Sequence, residues 1–276
     1  MTALTHNPIH TVLLVGCGKM GSALLERWLD QKLASHFIVI DPTPLPEALA
    51  KDPRIVHEKD VPGQFQKEPD VALIAVKPQI LNSVVEKIAR HNFKKTLFLS
   101  IAAGKPLKIF EQILGAKQSV IRSMPNTPAS IGRGVIAAVA NASVTREHKE
   151  MALRLLGCAG SLIWMGDEDL MDAVTALSGS GPAYVFLLIE AMAKAGEKLG
   201  LSPDQAMILA RQTVIGSAAL AEASPDIPAA QLRQNVTSPG GTTEAALQVL
   251  MKDESLQRLF DQALLAARDR GKALSS

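Results

Sequence analysis

An α/β domain with a mostly parallel sheet, followed by an all-helical domain, is the fold class predicted by this 276-residue sequence. Three observations predict it. Short apolar runs alternate with helix-spaced segments as far as residue 165. No convincing strand follows Gly166. The length is too great for one small core and suits two domains, 1–165 and 166–276.

The first domain reads as follows. Thr11–Val15 is a β-branched and apolar run, predicted as a buried strand. Lys19–Leu33 sets Met20, Leu24, Leu25, Trp28 and Leu29 at helical spacing. Phe37–Asp41 is a second strand, and Pro42–Pro46 a stiff loop. Val71–Val76 and Thr96–Ser100 are strands, each followed by a helix, Leu81–Arg90 and Leu107–Leu114. Ser119–Ile121 and Val135–Ala140 are strands, Glu147–Leu156 a helix and Ser161–Met165 the last strand. Continuous apolar strands alternating with helices predict a parallel sheet covered on both faces.

In the second domain Pro182–Leu199 is apolar almost all round, which predicts a helix buried on most sides. Ser202-Pro203-Asp204-Gln205 is a capping box with Pro at the first helical position, opening a helix to about Glu222. Ala229–Asn235, Thr243–Met251 and Glu254–Ala273 complete the set.

Composition narrows the function classes. The chain is 47% hydrophobic and 20% charged, as a globular protein is. A net charge of +2 gives no electrostatic reason to bind nucleic acid or an anionic membrane. Aromatic residues, at 4%, are too few to stack single-stranded bases. Cys17 and Cys158 are the only cysteines, so no disulfide framework is implied. A reducing, cytoplasmic setting is expected. Met1–His10 carries no signal-peptide pattern. Ala173–Ile189 is broken by Ser178–Pro182 and reads as a loop entering a buried helix, not a membrane span. No metal site is expected.

Gly16-Cys17-Gly18-Lys19-Met20-Gly21 directly follows a strand and opens a helix. That context turns a common glycine pattern into a dinucleotide-binding fingerprint of the Rossmann type. Gly16 allows the tight turn, Gly18 admits the pyrophosphate, and Gly21 lets helix and strand approach. A plain glycine-rich turn would carry the same letters, but not the same flanks. Asp41 ends the second strand, where a carboxylate accepts from the adenosine ribose hydroxyls and repels a 2′-phosphate. On that rule NADH is favoured, and no Arg stands beside Asp41 to take a 2′-phosphate. An Asp before Pro42 would also serve as a turn or cap residue. Ala75-Val76-Lys77-Pro78 and Ser100-Ile101-Ala102-Ala103-Gly104 end parallel strands at the edge where open α/β sheets bind ligands. Ordinary turn chemistry is the competing reading of both.

The second domain contains neither His nor Cys, and Tyr184 is followed four residues on by Leu188 rather than Lys. A carbonyl reductase needs a strong proton donor for its alkoxide. An iminium carries its own proton, so the missing acid favours a C=N substrate. Lys194 and Lys198 read as solvated surface. Val236-Thr237-Ser238-Pro239-Gly240-Gly241-Thr242-Thr243 joins two helices and offers N–H groups and hydroxyls, a nest for a carboxylate. Ser178-Gly179-Ser180-Gly181-Pro182 is a second loop of the same type, and simple helix capping is the alternative for each.

Six blocks together resemble the pyrroline-5-carboxylate reductase family. They are Gly16–Gly21, Ala75–Pro78, Ser100–Gly104, Arg122–Pro128, Asp172–Tyr184 and Asn235–Thr243, in the family's order. The resemblance implies NAD(P)H-dependent reduction of 1-pyrroline-5-carboxylate to L-proline. It implies cofactor contacts at Gly16–Gly21, Ala75–Pro78 and Ala102-Ala103, with Asn126 beside the nicotinamide. Glu168 and Asn235 match positions near the cofactor and active site. Ser238, Gly240, Gly241, Thr242 and Thr243 match the loop that holds the substrate carboxylate. The Thr243 hydroxyl then lies beside the ring nitrogen, as hydrogen-bond partner or proton donor. A helical dimerisation domain, a homodimer and possible higher assembly are also implied. The family commonly takes NADPH, which conflicts with Asp41. Two rivals remain: a 3-hydroxyacid dehydrogenase of similar plan, which needs a catalytic Lys, and a non-catalytic NAD(P)-binding dimeric regulator.

Overall fold

The computed structural model describes residues 8–275. Most of the Met1–His10 reading lies outside them. In chain order the first unit contains β1 (Ile9–Val15), α1 (Lys19–Asp30), β2 (Ala34–Ile40), α2 (Glu47–Ala50), β3 (Ile55–Glu58) and β4 (Val71–Ile74). There follow α3 (Leu81–Ala89), β5 (Leu97–Ser100), α4 (Leu107–Leu114), β6 (Val120–Met124), β7 (Gly134–Ala140), α5 (Arg146–Gly157), β8 (Gly160–Trp164) and the short α6 (Met171–Val174). Among the described residues the strands form one eight-stranded sheet in the order β3-β2-β1-β4-β5-β6-β7-β8.

The order reverses between β1 and β4, which makes their carboxyl ends a topological switch point. Pairs from β3 through β6 are parallel. β7 runs antiparallel to β6, and β8 is again parallel to β7. Only the 3-10 turn Thr127–Ile131 joins β6 to β7. That is too short for the crossover a parallel pair requires, so the direction must flip. α2 and β3 were not predicted from the apolar pattern. β3 is an edge strand of sequence Ile-Val-His-Glu without a fully buried residue, so no continuous apolar run marks it.

Strand alternation builds two cores. Val12 and Leu14 pack with Leu24, Leu25, Trp28, Leu155 and Leu156 on one face. Leu13 and Val15 pack with Leu81, Val85, Ile88 and Phe110 on the other. Trp28 is fully buried, and its indole N–H donates to the Leu155 carbonyl at 2.7 Å. A buried indole needs such a partner.

The second unit, Ser180–Ala267, contains α7 (Gly181–Lys198), α8 (Pro203–Ala223), α9 (Ala229–Asn235), α10 (Thr242–Met251) and most of α11 (Ser255–Ser275). The last turns of α11, from Arg268, belong with the first unit. The capping box at Ser202 forms as expected: Ser202 Oγ accepts from Gln205 N–H at 3.3 Å, and Gln205 Oε1 accepts from Ser202 N–H at 3.1 Å. α7 and α8 approach closely at Gly196, where a Cβ would lie 3.3 Å from that of Ala206.

The burial expected for Pro182–Leu199 is not present within one chain. Of α7 only Ala193 is buried, and Phe186 and Leu187 are 59% and 63% exposed. A helix apolar on every side needs more cover than α8 along one side and the edge-on contact of Tyr184 with Phe260 of α11 provide.

Candidate active site

The glycine turn meets the three demands of its motif. Gly16 has φ +94°, and a Cβ there would sit 2.8 Å from the Ala75 carbonyl group. A Cβ on Gly21 would enter the van der Waals envelope of the Gly16 carbonyl oxygen. Gly18 differs: nothing lies within 4 Å of its Cβ position, so its backbone faces open space. Gly18 is the N-cap of α1, yet no side chain caps this end and the first turn holds no acidic residue. The first N–H donors of this 12-residue helix are thus left for an anion, with the positive end of the helix dipole behind them. A dinucleotide pyrophosphate fits this cradle. Lys19 is exposed beside it, and Met20 is half-buried against the core.

Cys17 is half-buried, and its thiol is pushed up to about 11, first by burial, then by the nearby charges of Asp41 and Glu26. It is a packing residue in its neutral form, not a nucleophile.

Asp41 stands at the carboxyl end of β2 and closes the turn from the side. Its Oδ2 accepts from Cys17 N–H at 2.7 Å, and its Oδ1 from Thr43 N–H at 2.8 Å. The turn role is thus observed, and a carboxylate holding two N–H groups keeps lone pairs for further donors.

Further along the same edge, Ala75 N–H donates to the Val15 carbonyl at 2.7 Å, fixing the Ala75–Pro78 segment against the glycine turn. Lys77 is exposed, and Val76 and Pro78 are partly buried. Ala102 is buried and Ala103 exposed in the turn after β5. Ser123 Oγ donates to the Ser100 carbonyl at 2.9 Å and ties β6 to that turn.

Asn126 serves as a brace. Its Oδ1 accepts from Val135 N–H at 3.0 Å, and its Nδ2 donates to the Ser178 carbonyl at 3.4 Å. It thereby links the β6–β7 turn to the π-turn Thr175–Gly179. Glu168 is committed internally. Its Oε1 accepts from Arg122 Nη1 at 2.9 Å and from Leu107 N–H at 2.8 Å. Arg122 was quoted in the sequence pattern without a role; the pair is invisible in sequence because its members lie in separate blocks.

In the second unit, Gly240 has φ +72° and Gly241 is the N-cap of α10 without a side-chain cap bond. The Gly241 N–H turns back to the Ser238 carbonyl at 3.0 Å. Gly240 N–H donates to Glu244 Oε2 at 2.7 Å, so one of the expected nest donors already holds an internal carboxylate. Glu244 lies at the third helical position, the place of a capping-box Glu, which is the signal that sequence reading passed over. The N–H groups of Thr242 and Thr243 begin the helix and have no carbonyl one turn back to bond. Both residues, with Ser238, are exposed. Asn235 ends α9, where its Oδ1 accepts from Gln231 Nε2 at 2.9 Å.

Comparison with known proteins places both halves. Residues 168–274 match the family model described as pyrroline-5-carboxylate reductase dimerisation, and residues 11–104 match NADP oxidoreductase, coenzyme F420-dependent. A pyrroline-5-carboxylate reductase of Pseudomonas aeruginosa is 38% identical over 275 residues, covering 96% of each chain. The structure of a pyrroline-5-carboxylate reductase from Coxiella burnetii is similar, with TM-score 0.86, 33% identity, and coverage of 98% of this chain and 100% of that one. That of a Plasmodium falciparum pyrroline carboxylate reductase with NADP bound gives TM-score 0.80, 31% identity, and coverage of 97% and 98%. With the glycine turn at the switch point and the Ser238–Thr243 loop opening α10, the chain belongs to the pyrroline-5-carboxylate reductase family.

Proposed function

We propose that this chain reduces the C=N bond of 1-pyrroline-5-carboxylate to give L-proline, the last step of proline synthesis, using a nicotinamide dinucleotide. Family membership spanning both units carries this reading; the glycine turn alone would serve many dehydrogenases. The bound nicotinamide supplies the hydride that the ring carbon C5 accepts.

The residues of the chain bind and orient. Gly16–Gly21, Ala75–Pro78, Ala102-Ala103 and Asn126 line the cofactor side, within a domain of residues 1–165. Glu168 supports that side through Arg122 and α4, and Asn235 borders the substrate loop. Residues 166–276 hold the substrate and a second copy of the chain. There the N–H groups of Thr242 and Thr243, with the hydroxyls of Ser238, Thr242 and Thr243, take the substrate carboxylate, and Gly240 and Gly241 shape the turn. The Thr243 hydroxyl hydrogen-bonds the ring nitrogen as it gains the electron pair of the C=N bond. No stronger acid is required, because the iminium arrives protonated, and no His follows His148 in the chain. Positioning then supplies most of the acceleration.

The working form is a homodimer through the helical domain, in the cytoplasm, without nucleic acid or membrane as a partner. By length and composition alone, Glu168–Lys198 is apolar enough to cross a membrane. A second copy of the same helices is the cover proposed instead. The test follows NADH and NADPH oxidation with pyrroline-5-carboxylate and with 3-oxoacids, and measures proline. No proline with either cofactor refutes the reaction. Thr243→Ala should lower kcat by about 10²-fold while leaving cofactor Kd unchanged; equal losses in both remove its role.

A further inference from the structure

Resting on the nicotinamide-dinucleotide reading above, we propose that Asp41 makes this chain select NADH and discriminate against NADPH. The position alone raised that question. What the structure adds is that the carboxylate is fixed and that the groups around it include no arginine to grip a 2′-phosphate.

The carboxylate is tied on two sides. Oδ2 holds Cys17 N–H, inside the glycine turn, at 2.7 Å, and Oδ1 holds Thr43 N–H, in its own loop, at 2.8 Å. The backbone is tied as well. Asp41 N–H donates to the Glu58 carbonyl at 3.0 Å, and the Asp41 carbonyl meets His57 Nε2 at 2.9 Å. The loop behind cannot yield easily. Pro42, Pro44 and Pro46 restrict its backbone, and Leu45 is buried at 9% exposure. A side chain so held does not swing aside for a larger ligand.

A carboxylate has about four lone-pair sites, so roughly two remain here. They accept only from donors. Free ribose hydroxyls are donors; a 2′-phosphate brings acceptors and about two negative charges. Cations to offset it would have to come from the neighbouring elements. Pro42–Pro46 has none. The β3 edge brings His57, Glu58, Lys59 and Asp60. The His57 Nε2 is taken by the Asp41 carbonyl, and Asp60 pairs with Lys87. Lys59 is exposed and flanked in sequence by Glu58 and Asp60. Lys19 lies on the pyrophosphate side, at the start of α1. No arginine stands among these groups, so the fork that best grips a phosphate is missing.

The test separates binding from turnover. Calorimetry on the assembled protein compares ADP-ribose with 2′-phospho-ADP-ribose, and steady-state kinetics compare NADH with NADPH. ADP-ribose should bind at least about tenfold more tightly, and kcat/KM should follow the same order. Asp41→Asn keeps the size and one acceptor but drops the charge, and should bring the two fragments to within about threefold. Equal binding of the fragments by the wild type, or tighter binding of the phosphorylated one, overturns the proposal. So does an unchanged ratio in folded Asp41→Asn; if that variant unfolds, the wild-type ratio decides. Selective binding of ADP-ribose without proline formation sinks the proposed reaction and leaves Asp41 standing. Proline formation that favours NADPH does the reverse.

Discussion

Removing Glu168 should destabilise the protein more than removing its partner Arg122, and the asymmetry follows from who is left behind. The two meet at 2.9 Å, with side chains 26% and 8% exposed respectively. Glu168→Ala leaves a guanidinium buried and unpaired, a loss of about 3–5 kcal/mol in comparable pairs. It also removes the acceptor of Leu107 N–H, and α4 has no side-chain cap of its own. That adds about 1 kcal/mol. Partial exposure of the site pulls the total back to about 3–4 kcal/mol. Arg122→Met instead leaves a carboxylate that keeps Leu107 N–H and still reaches water, so about 1–2 kcal/mol is expected. Glu168→Gln retains both acceptor contacts and should cost about 1 kcal/mol. The assay is urea unfolding at one fixed protein concentration, since dimer stability depends on concentration. Thermal midpoints should fall by about 8–12 °C for Glu168→Ala. An Arg122→Met variant as unstable as Glu168→Ala would refute the reasoning, as would a loss below about 1 kcal/mol in the latter. Cofactor Kd, read in parallel, separates support from contact. If Glu168 touches the cofactor directly, Glu168→Gln will weaken binding out of proportion to its small effect on stability.

The glycine turn gives a paired prediction. Gly21→Ala must displace the Gly16 carbonyl and should cost about 1–3 kcal/mol in unfolding measurements. Gly18→Ala points into open space and should leave the midpoint nearly unchanged while weakening dinucleotide binding; equal stability losses in both would contradict the geometry. The first turn of α5 should respond to pH. Thr145 N–H donates to His148 Nδ1 at 3.3 Å, and Thr145 Oγ1 accepts from His148 N–H at 3.2 Å. The His148 pKa is lowered, chiefly by burial, against the opposing effects of Glu147 and a bond to the Lys95 backbone. The stability this box supplies is therefore present above the unfolded value of 6.5 and is lost as pH falls through the lower folded value. Amide exchange at the start of α5 should quicken as pH falls below about 6.5 in the wild type and not in His148→Gln. A pH response that persists in His148→Gln would assign it elsewhere.

The sheet was readable because its strands are buried on both faces, which leaves apolar runs such as Val71-Ala72-Leu73-Ile74. β3 escaped because an edge strand needs no such run, and its Val56 is 55% exposed. At the site, glycines betrayed the turn because their backbone demands are local. The Asp41–Cys17, Asn126–Val135 and Arg122–Glu168 contacts were not readable, because each joins residues brought together only by the sheet. The Glu244 contact was local and still missed: its letters fit a cap and a nest equally well, and the cap took one of the N–H groups assigned to the nest.

The same distinction explains the helical unit. Its fully buried cluster within one chain is Ala193, Ala206 and Ala210, with Ile189 and Met207 packed against it. Three alanines remove little apolar surface from water, at roughly 25 cal/mol per Å². Along α7, Val185, Phe186, Leu187 and Leu188 are consecutive and 43–63% exposed. Four consecutive helical residues point to every side, so a single neighbouring helix cannot cover them. The burial expected of α7 is thus missing from one chain, and only a further partner surface would supply it. A unit that needs its copy to finish its core also needs it to hold the Ser238–Thr243 loop in place, because α10 has no fully buried residue in one chain. Dimer dissociation should therefore abolish reduction while the glycine turn, whose supports all lie within the first unit, still binds ADP-ribose. Activity and dinucleotide binding lost together on dilution would show that the turn, too, depends on the partner.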